Sequence, residues 1–311
     1  MMFAIDIGGT SVKCAMVTAA GRIVERRQLP FYRHEEFAAF VERLAACYAE
    51  VCAAAAMRAQ IIGVATPGYS DPTSGQLVDG WRNVPVLKDR SIRKALSVRL
   101  DLPCVVENDG VAAALGESRF GAGRQFGCFA LLTLGTGVGG AVVVDGRPLT
   151  GPLGQPPELG SIAVGERSSD GIGAHLENAA SAPAFLQRYR EIAGIPESES
   201  LESKELFRLA RKGDAAANAA IDKCCRDVAQ AVGTLVNALS LEACIIGGGL
   251  SEAGPILVER VRHHLSDFAW PRLLAHTQVL LADLRNDAGT LGMVVVASRG
   301  AAHAPAKAEA S

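Results

Sequence analysis

The chain has 311 residues, with 31 Lys plus Arg against 33 Asp plus Glu and a formal net charge of −2. That balance leaves no electrostatic case for nucleic acid or an anionic membrane as partner. Aromatic residues are only 5% while glycines number 33, which favours helices packed closely on sheets over an aromatic-rich β sandwich, at a length that suits one large or two ordinary domains.

Phe3-Ala4-Ile5 predicts a first strand. It is interrupted by Asp6-Ile7-Gly8-Gly9-Thr10 and resumes over 12–17. After a turn at Ala20-Gly21 a third strand starts over 22–25, so the chain opens as an antiparallel meander with a glycine-rich first corner. Phe37, Phe40, Val41, Leu44, Tyr48 and Val51 share one helical face. A buried strand over 61–66 ends at Pro67-Gly68, and 91–100 predicts a helix with Ser91 as its cap.

The run Pro103-Cys104-Val105-Val106 ends in Glu107-Asn108-Asp109, and a small-residue helix follows. Asn and Asp at such a corner accept hydrogen bonds from the orphan amides of a new helix. An Asp there is also placed to act as a base directed into a cleft. This stretch alone leaves both readings open.

Further on, 129–134 predicts a strand, Gly135-Thr136-Gly137-Val138-Gly139-Gly140 a second glycine corner, 141–144 the returning strand and Asp145-Gly146 a turn. The echo of the first meander suggests a weak internal duplication of one supersecondary unit. Residues 197–205, charged and Ser-rich, read as a surface loop or helix start. A long helix follows over 219–239, then a strand over 243–246 ended by Gly247-Gly248-Gly249. Pro255 opens another helix, 279–282 is a strand, and 288–297 is the last helix. Residues 300–311 read as a frayed end.

Three glycine corners after three buried strands suggest a ligand with several phosphates, because glycine lets backbone N–H groups approach an anion with no Cβ in the way. Gly135, Gly137 and Gly140 match G-x-G-x-x-G, but β-branched, extended residues follow where a dinucleotide fold needs a helix. No P-loop and no protein-kinase signature occurs. The eight cysteines contain no C-x-x-C, so they read as reduced thiols of a cytoplasmic protein. The first residues lack the basic flank and apolar run of a signal peptide, and no apolar run reaches the ~18 residues of a membrane helix.

Together these residues resemble the ROK group of bacterial sugar kinases, within the actin/hexokinase/Hsp70 ATPase superfamily. Asp6-Ile7-Gly8-Gly9-Thr10 is similar to its first phosphate motif and Leu134-Gly135-Thr136-Gly137-Val138-Gly139-Gly140 to its second. Gly247-Gly248-Gly249-Leu250 resembles its adenosine-side glycines and Ala288-Gly289 its last nucleotide-side turn. Glu107-Asn108-Asp109 resembles its catalytic E-N-D element.

The resemblance implies an α/β fold of two RNase H-like, actin-like ATPase lobes, with mixed sheets flanked by helices and a cleft between them. It implies a small lobe over 1–115, on the sugar and phosphate side, with the catalytic Asp at its end. A nucleotide-side large lobe over 116–298 follows, whose last helix can pack back on the small lobe, and then a flexible tail over 299–311.

It also implies roles. Asp109 would be the general base, since a sugar hydroxyl is a poor nucleophile until a carboxylate takes its proton. Asp6 would bind Mg²⁺ through water. Gly8, Gly9, Thr10, Gly135, Thr136, Gly137, Gly139, Gly247, Gly248, Gly249 and Gly289 would hold ATP, with the Thr10 and Thr136 hydroxyls on phosphate oxygens. Gly68, Asn83, Asn108, Glu158 and Glu177 would contact sugar, Asn83 through an Asn-x-Pro loop. Ser161 stands where the family has a His after Glu158. The family's cysteine cluster is missing from 167–175, so no structural zinc is expected, and His175 reads as a histidine on the surface or just behind the site rather than as a ligand.

The expected activity is ATP-dependent phosphorylation of a hexose, glucose first and most simply at the 6-hydroxyl. N-acetylmannosamine, N-acetylglucosamine or fructose are alternative substrates, polyphosphate is an open alternative donor, and a non-catalytic sugar sensor is the reading from another class. A DNA-binding repressor is disfavoured because the first motif begins at residue 6. An activator of a radical enzyme is disfavoured because Cys224-Cys225 lacks suitable neighbours. A homodimer is implied by resemblance only.

Overall fold

The computed structural model describes residues 1–71, 73–152, 154–165, 174–196 and 200–303, with side chains through Arg299. Most of the segment that lacks the cysteine cluster, 166–173, lies outside the described residues, as does the tail from 304.

The chain begins with β1 (Met2–Ile7), β2 (Ser11–Val17), β3 (Ile23–Pro30), α1 (Phe37–Ala55), β4 (Ile61–Thr66), β5 (Tyr69–Ser70), β6 (Leu77–Asp79), α2 (Ile92–Leu100), β7 (Cys104–Asn108) and α3 (Asp109–Phe120). It continues with β8 (Cys128–Leu134), β9 (Val138–Val144), β10 (Arg147–Pro148), β11 (Ala163–Val164), β12 (Ala174–His175), α4 (Leu176–Ala180), α5 (Ala182–Ala193), α6 (Ser203–Arg211), α7 (Ala215–Leu239), β13 (Ala243–Gly247), α8 (Pro255–Leu265), α9 (Pro271–Leu274) and β14 (Gln278–Leu281). The last element is α10 (Ala288–His303). Among the described residues no helix is long and apolar enough to cross a membrane.

Two compact units result. The first takes in Met1–Phe120, Pro152–Gln155 and the chain from Asp287 through α10, and the second takes in Gly121–Gly151 and Pro156–Asn286. Each holds a five-stranded mixed sheet flanked by helices. In the first the order is β3-β2-β1-β4-β7, with β1 antiparallel to β2 and parallel to β4, and β4 parallel to β7. In the second the order is β10-β9-β8-β13-β14, with β8 antiparallel to β9 and parallel to β13, and β13 parallel to β14. The duplication therefore covers a whole sheet rather than one hairpin.

The core of the first unit is built from the alternating strand residues Phe3, Ile5 and Ile62 and from Phe40, Leu44 and Val51 on one face of α1, all fully buried. Each contributes roughly 1.5–3 kcal/mol on leaving water. α10 packs on α3, β4 and β1. The α3–α10 crossing is set by glycine: a Cβ on Gly292 would lie 1.7 Å from the Ala112 carbonyl oxygen, and one on Gly116 would lie 2.3 Å from that of Ala288. Only hydrogen fits at either position, so the two helices meet backbone to backbone.

Several elements run beyond the sequence expectation. The third strand continues to Pro30, the long helix starts at Ala215 where Asp214 caps it by accepting from the Ala217 N–H, and the last helix reaches His303. Of the charged, Ser-rich stretch, 197–199 lie outside the described residues, and its end opens α6, whose Leu206, Phe207 and Ala210 are buried on one face. α5 carries a proline in its first turn, where the missing N–H costs no hydrogen bond.

Candidate active site

In the first unit, strand register brings the predicted residues to one edge. Asp6 is opposite Ala65, Ala65 opposite Glu107 and Thr66 opposite Asn108, so the carboxyl ends of β1, β4 and β7 line up. Open α/β sheets bind ligands beyond such ends. Residues 8–10 continue from β1, Gly68 from β4 and Asp109 from β7. Gly8 N–H donates to Ser11 O at 2.9 Å and closes the first corner. A Cβ on Gly9 would sit 3.5 Å from Asn83 Cβ, so the Asn-x-Pro loop abuts this corner, and both Asn83 and Thr10 are exposed. A Cβ on Gly289 would lie 3.3 to 3.5 Å from the three terminal atoms of Asp6, which sets that carboxylate against the start of α10, the end of a helix that favours negative charge.

The Asn-Asp corner divides its work. Asn108 Oδ1 accepts the Val111 N–H at 3.1 Å and its Nδ2 donates to Gly68 O at 3.1 Å. Capping therefore falls to Asn108. Asp109, the first residue of α3, accepts the Gly110 N–H on Oδ1 at 2.8 Å. Gly68, at φ +85°, lets the chain pass the Asp79 carbonyl, which a Cβ would approach to 2.2 Å. Glu107, which the sequence reading left without a role, is half-buried. Its Oε1 accepts the Asn108 N–H at 2.9 Å. Burial pushes its carboxyl above the usual range, outweighing that bond and the Arg299 guanidinium.

The remaining predicted residues belong to the second unit. Its glycine corner joins β8 to β9 and is clasped from α4 and α5. Glu177 Oε2 accepts the Val138 N–H at 3.0 Å, and Ala182 N–H donates to Gly135 O at 2.7 Å. A Cβ on Gly137 would fall 2.5 Å from Glu177 Oε2, so glycine there gives the carboxylate its seat. Gly139 takes its place in β9 beside the Thr133 hydroxyl, and Thr136 is exposed. Glu158 is exposed just before the 3₁₀ turn Leu159–Ser161, whose Gly160 lies against Val138 O. Gly247 ends β13, Gly248 at φ +78° packs on the backbone of Leu134, and a Cβ on Gly249 would meet open space.

His175 is exposed in β12. Cys224 and Cys225 are buried in α7, and burial pushes the Cys224 thiol up to about 12, which suits a protonated core residue. Among the described residues no three His, Cys, Asp or Glu side chains gather as a metal cage.

A family model for the ROK family matches residues 2–299. A glucokinase of Halalkalibacterium halodurans is 33% identical, over 93% of this chain and 92% of that protein. An N-acetyl-D-glucosamine kinase of Salmonella paratyphi B is 27% identical, over 85% and 90%. The crystal structure of a ROK family glucokinase from Streptomyces griseus, in complex with glucose and AMPPNP, is 27% identical and superposes with a TM-score of 0.80, over 96% of this chain and 99% of that one. With residues 2–299 of its 311 inside the match, the chain belongs to the ROK family.

Proposed function

We infer that this chain is an ATP-dependent sugar kinase that phosphorylates a hexose hydroxyl, glucose first, with a sugar 6-phosphate as product. The observation that carries the reading is the corner after β7: Asn108 caps α3, and Asp109 stands beside it at the carboxyl edge of the sheet. The full-length likeness to a glucokinase supports the substrate class.

In this reading Asp109 accepts the hydroxyl proton as the sugar oxygen attacks the terminal phosphorus, the bond to the bridging oxygen breaks, and ADP leaves. Gly68, Asn83, Asn108, Glu158 and Glu177 orient the sugar. The 8–10 and 135–139 corners, with Gly247, Gly248, Gly249 and Gly289, hold the nucleotide. Mg²⁺, when bound, neutralises charge on the phosphate oxygens. Asp6 would hold it through water, and a single carboxylate suits an ion that keeps most of its water shell and takes the rest from phosphate.

A second substrate, an N-acetylhexosamine, is favoured by the exposed Ser161, smaller than the family's histidine, and by the N-acetylglucosamine kinase relative. The resemblance also supports a cytoplasmic homodimer, which analytical ultracentrifugation checks. The deciding assay offers purified protein Mg²⁺, a panel of hexoses and amino sugars, and either ATP or polyphosphate. Sugar-dependent ADP release is expected, strongest with glucose. Phosphorylated sugar formed from polyphosphate alone would replace ATP as donor. Sugar binding by calorimetry with no turnover would make the protein a sensor.

A further inference from the structure

The reading above gives Glu158 and Glu177 to sugar, yet Glu158 stands just outside a 3₁₀ turn and Glu177 in α4, a helix of five residues. A helix that short does not hold itself. The two are joined by one run of chain. Glu158 opens the stretch 158–165, which passes through β11, and β11 pairs with β12. Where β12 runs into α4, Leu176 N–H donates to Ile162 O at 2.8 Å, and Glu177 follows at once.

The far end of that run is Gly165, and α7 takes hold of it. Gln230 Oε1 accepts the Gly165 N–H at 2.9 Å. Three residues earlier on the same face of α7, Asp227 is buried, and a Cβ on Gly165 would lie 3.7 Å from its Oδ1. Arg188 of α5 fixes Asp227 in turn, Nη1 donating to Oδ2 at 2.8 Å. The stretch joining β11 to β12 carries no cysteine, so no thiolate-bound metal ties the hairpin. α7 runs for 25 residues with its inner face in the core, which makes it the firm body to which the hairpin is tied.

Resting on the kinase reading, we propose that Gln230 is a positioning residue for sugar binding. Its carbonyl oxygen fixes the end of β11, and through the β11–β12 hairpin it sets both sugar-side carboxylates. It acts through the hairpin and not on the sugar itself, so its loss lowers sugar affinity and leaves the transfer step alone.

The test measures sugar KM, nucleotide KM and kcat by ADP release from the full chain, for wild type, Q230M, Q230A, Q230E and E177Q, each checked for fold by circular dichroism. Q230M keeps the length of the side chain and removes the acceptor. Its sugar KM should rise about fivefold, the worth of one neutral hydrogen bond. Its kcat and nucleotide KM should stay within about twofold of wild type, the pattern of binding lost equally from ground and transition states. Q230E still offers the Gly165 N–H an acceptor and should stay near wild type. Q230A carries the test if Q230M does not fold. An unchanged sugar KM in Q230M where E177Q raises it, a fall in kcat alone, or a Q230E as impaired as Q230M would each overturn the proposal. An unchanged sugar KM in E177Q would overturn the sugar role of Glu177 and the proposal with it. Wild-type protein that releases no ADP with any hexose or amino sugar would overturn the kinase reading itself, which separates the failures.

Discussion

In the first unit the hairpin after β1 turns at 8–10 beside Asp6 and Lys13; in the second the hairpin after β8 turns at 135–137 against the carboxylate of Glu177. The two sheets share strand order and orientation, so the scaffold alone accounts for neither arrangement. In the second corner the amides of Gly135 and Val138 are engaged by Gly137 O and Glu177, while in the first the Gly8 N–H is tied across the turn to Ser11 O. The topology decides where a loop can meet a ligand, and the side chains delivered to that loop decide its charge. One corner carries a balanced ion pair, the other a net negative group held by an amide.

The largest test of this contrast strikes the joint behind the first corner. Gly292→Ala places a methyl against the Ala112 carbonyl, and equilibrium urea unfolding should show a loss of about 3 kcal/mol or more. An unchanged midpoint would mean the crossing is looser than described. Next, Asp109→Asn should lower kcat by at least ~10² while calorimetric sugar affinity is largely kept; full activity would remove Asp109 as the base.

In the second corner, Gly137→Ala pushes on the Glu177 carboxylate. The sugar KM should rise about tenfold, the worth of one charged contact, with the nucleotide KM little changed. A rise in the nucleotide KM alone would give that corner to phosphate and take Glu177 away from sugar. The smallest effect concerns Glu107. Its carboxyl is raised by burial, so its contribution to stability is greatest in acid and is lost as pH rises through the raised value. Glu107→Gln should therefore gain on wild type as pH rises, with a larger advantage in urea unfolding at about pH 8 than at about pH 5. A pH-independent difference would show that Glu107 stays ionised throughout.

Local pattern carried much of this into view from the sequence. The two hairpins were legible because their strands alternate around glycine turns, and α1 because Phe40, Leu44 and Val51 repeat at helical spacing. The parallel partners β4, β7, β13 and β14 are short apolar runs whose neighbours are chosen by long-range pairing, so one duplicated hairpin was visible where a duplicated sheet exists. α4 and α5 are short or open on a proline, and their burial depends on α7. The seat of Glu177 on Val138 needs α4 to reach the hairpin, which no spacing argument supplies. The Asp6–Lys13 pairing was within reach: once the turn pairs Ile7 with Val12, the next pair outward is Asp6 with Lys13.

The α3–α10 crossing bears on how the chain is made as well as on how it works. α3 leaves the ribosome well before α10, with the entire second unit synthesised between them. The nascent first unit must wait, with the backbone groove at 112–116 uncovered, while the second unit is free to complete itself. Closure then depends on a contact between distant parts of the sequence, a slow kind of step. Shortening the C-terminal helix would therefore leave the earliest-made sheet unfinished, and chaperone demand should track the length of α10 that remains.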